Sequence, residues 1–70
     1  MKIFLFKTDV KNDYQKKMVA PVINQIKGIN RWSFDLEDKN KVLRVEGHGL
    51  KPQQIEEMIS NAGFKCETMY

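Results

Sequence analysis

Seventy residues, 41% of them hydrophobic and 30% charged, make one domain at most and are too apolar for a disordered chain. A chain this short buries only about 60% of its unfolded surface, so every element must contribute to a single core. The net charge of +3 comes from twelve basic and nine acidic residues interspersed along the chain. That is a solvated mixed-charge surface, not the concentrated basic face of a nucleic-acid binder.

Residues 2–8 (KIFLFKT) alternate and are rich in Phe and Ile, which predicts a first strand. Met18, Val19, Val22, Ile23 and Ile26 then fall at helical spacing and predict a helix over 13–26. Asn12 or Asp13 can cap its start by accepting a bond from a free backbone amide. Pro21 removes one backbone bond inside this helix and crowds the carbonyl of Lys17, which predicts a bend. Gly28 ends it.

Trp32, Phe34 and Leu36 alternate with Arg31, Ser33 and Asp35, giving a strand over 31–36. The turn 37–41 (EDKNK) leads to a strand over 42–46 (VLRVE), so the two form a hairpin. Gly47 and Gly49 flank His48 in a loop, and Pro52 suits the first position of a second helix. The stripe of that helix is Ile55, Met58, Ile59 and Ala62, closed by Gly63. Residues 64–69 (FKCETM) alternate as a last strand.

The order β-α-β-β-α-β, with one apolar face per helix, implies an α+β two-layer sandwich: a ferredoxin-like fold spanning residues 1–70 as one domain. The right-handed crossover rule places strands one and three centrally in an antiparallel sheet of order 4-1-3-2. Phe4, Phe6, Trp32, Phe34, Leu43, Val45 and Phe64 then face the helices, leaving Ile3, Leu5, Lys7, Arg31, Ser33, Val42, Arg44 and Lys65 on the open face.

A single cysteine, Cys66, excludes an internal disulfide and any multi-thiolate site within one chain, the pattern of a reducing compartment. Only four successive apolar positions precede Lys7, too few for a signal-peptide core, and no run reaches the roughly 18 of a membrane span. The expected location is cytoplasmic, with no membrane or nucleic-acid partner.

The segments KTDV (7–10), KGINRWSFDL (27–36), KVLRVEG (41–47) and NAGFKCE (61–67) resemble the heavy-metal-associated domains of copper chaperones and metal-transporting ATPases. VAPVINQIKGI (19–29) is similar to a bacterial subgroup with proline in the first helix. In that family the loop after the first strand carries M-x-C-x-x-C, whose two thiolates hold Cu(I) or another soft ion. Aligned on Gly28, the two cysteine positions fall on Asn12 and Gln15, and neither amide is a soft-metal ligand. The resemblance therefore implies the scaffold with a degenerate metal site.

No other set replaces the pair. Cys66, a weak candidate ligand, is expected as a small apolar residue on the inner face of the last strand. His48 belongs to the loop at the opposite end of the sheet. Asp9, Asn12 and Asp13 lack the spacing of a calcium loop, and Met18 and Met58 are expected in the core. No Ser-His-Asp or Cys-His set and no phosphate loop is recognisable, so catalysis is not expected.

Three readings of function follow. The first is a non-catalytic interaction module that needs no cofactor. It docks a protein partner, such as another ferredoxin-like domain, through Lys11, Asn12, Gln15, Lys16 and Lys65. The second is a metal-trafficking protein binding Cu(I) or another soft metal through Cys66 of two chains. The third, RNA binding on the open face, lacks the aromatic residues that stack bases there. Ile3, Leu5 and Val42 form a modest apolar patch on that face, which suggests a homodimer.

Overall fold

The computed structural model describes residues 1–69. Its elements are β1 (Lys2–Thr8), α1 (Asp13–Asn24), β2 (Ile29–Asp35), β3 (Val42–Gly47), α2 (Pro52–Asn61) and β4 (Cys66–Thr68). The strands form one antiparallel sheet in the order β2-β3-β1-β4, the expected arrangement read from its other edge. No helix is long and apolar enough to cross a membrane.

Alternation along the strands divides the sheet into two faces. Phe6, Leu43 and Val45 point inward and are fully buried against Val19, Ile23, Ile55 and Ile59 of the helices. Phe4, Trp32, Phe34 and Phe64 pack around this core, as the alternation predicted. On the other face Ile3 is half exposed, and Arg44 pairs with Glu46.

Four details differ from the sequence reading. α1 ends at Asn24, because the amides of Gln25 and Ile26 bond the carbonyls of Val22 and Ile23, three residues back. These tighter bonds close the last turn while still burying Ile26. Met18 is 53% exposed, outside the core. Successive helical residues are about 100° apart, so with Val19 at the centre of the buried stripe its neighbour faces outward.

The last strand begins at Cys66, not at residue 64. Gly63 has φ +97°, its amide bonds the carbonyl of Ser60, and the amide of Phe64 bonds that of Ile59. This pair of bonds is a Schellman cap, and Phe64 packs against the core cluster that contains Ile59. Phe64 is thus held by α2 and cannot join the sheet ladder.

β2 begins earlier than expected, at Ile29, with a bulge between Ile29 and Arg31. Here the backbones come very close: the amide of His48 bonds the carbonyl of Gly28 at 2.9 Å. A Cβ on Gly47 would lie 2.0 Å from that same carbonyl oxygen, and one on Gly28 would lie 2.4 Å from the His48 oxygen. Both glycines are required by the approach of two main chains, which have little freedom to yield. Gly47→Ala is therefore expected to lower stability by about 3 kcal/mol. Gly63→Ala, strained only by its positive φ with open space around it, should cost about 1 kcal/mol. Urea unfolding measures both; equal losses would contradict the steric account.

Candidate functional site

Three connections meet at one end of the sheet: the β1–α1 loop, the β2–β3 turn, and the α2–β4 turn. Thr8, at the end of β1, ties the first two together. Its amide bonds the carbonyl of Asn40 at 3.0 Å, its hydroxyl donates to the carbonyl of Lys41, and its Oγ1 accepts from the amide of Val10. Asp9 makes the second tie, its Oδ1 accepting from the amide of Lys65 at 2.8 Å. Lys65 is thereby placed beside the β1–α1 loop, as its candidacy required.

The loop runs straight into α1, whose first amides have no partner within the helix. Asn12 has extended backbone (φ −152°), and its Oδ1 accepts from the amide of Gln15 at 2.9 Å. Gln15 reaches back, its Oε1 accepting from the amide of Lys11 at 2.8 Å. The arrangement resembles a capping box, with the return bond made one residue earlier. Asp13, in the first turn, adds a negative charge where the helix dipole favours one. The side-chain oxygens of Asn12 and Gln15 are thus occupied by the main chain.

Cys66 lies opposite Thr8 in the ladder, on the inner face of β4, half-buried and packed against the core as expected. Burial, reinforced by the Glu56 carboxylate, pushes its thiol from 9.0 up to about 12. Glu56 is held there by Thr68, whose amide and hydroxyl both donate to its Oε2. At neutral pH Cys66 is therefore a neutral thiol, the form that neither attacks nor ligates well.

His48 follows β3 beside Gly47, which pairs with Lys2 at the start of β1. Six residue steps of strand separate Lys2 from Thr8, about 20 Å at the rise of a β-strand. The histidine and the thiol are therefore at opposite ends of the sheet. Among the described residues, no three His, Cys, Asp or Glu side chains come together as a metal-binding group. Asp9 Oδ1 and Asn12 Oδ1 each accept a main-chain amide.

Lys11 and Lys65 are exposed and Lys16 half-buried around this end. Among the described residues none has a carboxylate partner, and the one ion pair is Arg44–Glu46 on the open face. Tyr14 (73% exposed) and Met18 are exposed one helical turn apart on α1. The sequence reading missed both. The signal was available in their spacing of one helical turn, offset from the Val19–Ile23 stripe.

No family model matches the chain, and no curated protein matches it in sequence. Solved structures do match its backbone. A copper binding domain from HMA7, a P-type ATPase, superposes with a TM-score of 0.86 at 19% identity, over 100% of this chain and 96% of that one. The yeast copper transporter domain CCC2A gives 0.85 at 15% identity, over 100% and 97%. The N-terminal domain of ZntA in its Zn(II) form gives 0.81 at 16% identity, over 96% and 90%. The chain shares the backbone fold of these domains. On this backbone Asn12 and Gln15, the positions the resemblance assigns to metal-binding cysteines, are the two residues that cap α1.

Two measurements test this local chemistry. Asn12→Ala and Gln15→Ala should each lower the unfolding free energy by about 1 kcal/mol, and the double variant by less than their sum, because the bonds share one turn. Additive losses in thermal melts would mean that the two caps act independently. Cys66 should react with iodoacetamide at pH 8 at least about a hundredfold more slowly than a free thiol, since its thiolate fraction is that much smaller. The same upward shift gives a sign for stability. The thiol's contribution is intact below pH 9 and is lost as pH rises toward 12, a loss that Cys66→Ala should remove.

Proposed function

We propose that this domain is a non-catalytic protein-interaction module of the cytoplasm, built on a heavy-metal-associated scaffold and docking its partner without a metal ion. The observation that carries the reading is the use of Asn12 and Gln15. The two positions from which such a scaffold presents soft ligands here hold amide oxygens, and both are engaged in capping α1. Cys66, the remaining thiol, is protonated and packed inward.

The docking residues are Lys11, Asn12, Gln15, Lys16 and Lys65. Three lysines without carboxylate partners among the described residues stand at a loop end that is fixed by Thr8 and Asp9. A rigid cationic rim of this kind selects a partner with an acidic surface and speeds its encounter more than it tightens the complex. Tyr14 and Met18 add exposed apolar area on α1. A second ferredoxin-like domain with acidic side chains at its own loop end fits this surface.

Affinity capture from cells, with and without a membrane-impermeant Cu(I) chelator in the lysate, tests the reading. A partner retained in chelator, weakened by salt and lost on Lys11→Glu/Lys16→Glu is the expected result. A partner lost in chelator and on Cys66→Ala would instead favour soft-metal trafficking, with one thiol contributed by each of two chains.

A further inference from the structure

The sheet has two open edges, and they differ. β4 offers three residues, whereas β2 offers seven, free of proline and of any inward-pointing charge. Exposed edges are usually protected by charge that repels a second strand. The charges on β2 are of a different kind. Around Ser33 the sequence reads Arg31, Trp32, Ser33, Phe34, Asp35: a cation, an aromatic ring, a hydroxyl, an aromatic ring and an anion.

We propose that the β2 edge pairs antiparallel with β2 of a second copy of this chain, about a two-fold axis at Ser33, to give a continuous eight-stranded sheet. In that register Arg31 lies opposite Asp35 of the second copy, and Asp35 opposite its Arg31. Trp32 lies opposite Phe34, and Phe34 opposite Trp32. One symmetry operation thus creates two ion pairs on the open face and two aromatic pairs on the helix-covered face, each a favourable cross-strand pair.

Within one chain these groups lack partners. Arg31 is opposite Glu46 in the β2–β3 register, but Glu46 is the residue that binds Arg44. Asp35 is opposite Val42. Arg31, Ser33 and Asp35 are exposed, and Trp32 and Phe34 are only half covered. The two rings are already set edge to face at 5.9 Å, with the indole of Trp32 fixed by its bond to Asn24 Oδ1 at 2.8 Å. The bulge between Ile29 and Arg31 ends the regular strand and confines pairing to 31–35. The open face suits a second copy less, because Ile3, Leu5 and Val42 are interrupted there by Lys7, Arg44 and Glu46.

Sedimentation equilibrium of the purified chain from low to high micromolar concentration tests the pairing. The wild type should show a reversible dimer. Asp35→Arg sets two arginines against each other at each end and should weaken it by about tenfold or more, with an unchanged thermal melt. Arg31→Asp/Asp35→Arg, which exchanges the charges and restores opposite signs, should recover the dimer. A wild type monomeric at high micromolar concentration overturns the proposal and leaves the edge to a strand of another protein. A dimer unaffected by Asp35→Arg but broken by Ile3→Glu overturns it in favour of the open face.

Discussion

A helix that starts at a loop leaves its first amides without acceptors, and some group at that start has to supply them. In this chain the suppliers are Asn12 and Gln15. Their two bonds, to the amides of Gln15 and Lys11, fix the direction in which α1 leaves β1. The placement of Val19 and Ile23 over Phe6 and Val45 depends on that direction, and so does the core. A thiolate at either position would be a poorer cap and a far better soft-metal ligand. The choice of residue at the helix start therefore decides between local stability and metal capture.

The rest of the loop end supports the first choice. Thr8 locks the β2–β3 turn to the end of β1, and Asp9 locks the start of the last strand to the loop. Both ties use groups that would otherwise be free to approach a ligand. Cys66 points inward with a proton that burial and Glu56 help it keep. What faces outward at this end is Lys11 and Lys65, with Tyr14 and Met18 exposed along α1.

The fold was legible because its signals are periodic. The alternation of Trp32, Phe34 and Leu36 and the stripes of both helices sufficed for element order and sheet topology. The capping role of Asn12 was legible as well, since short polar side chains before an apolar run have few other uses. The engagement of Gln15 was not, because a long flexible amide gives no sign in sequence of where it reaches. Met18 was misplaced because a stripe read by spacing alone has no fixed centre until the helix is packed. The start of the last strand was misplaced because Gly63 and Phe64 complete a helix cap, and an alternating pattern across a turn cannot distinguish a cap from a strand. The near-palindrome at 31–35 stands in plain sight in the sequence, but it acquires meaning only once β2 is known to be an edge.

Low identity to metal-binding domains of the same backbone makes ligand identity the deciding question, and the scaffold itself supplies the control. Anaerobic competition for Cu(I) against a colorimetric chelator, with the wild type beside Asn12→Cys/Gln15→Cys, isolates the two positions. The wild type is expected to leave the chelator's metal in place, while the double variant, with thiolates placed at the start of α1, removes it. A wild type that withdraws Cu(I) as strongly as the double variant would contradict the proposal that this helix start docks a partner without a metal.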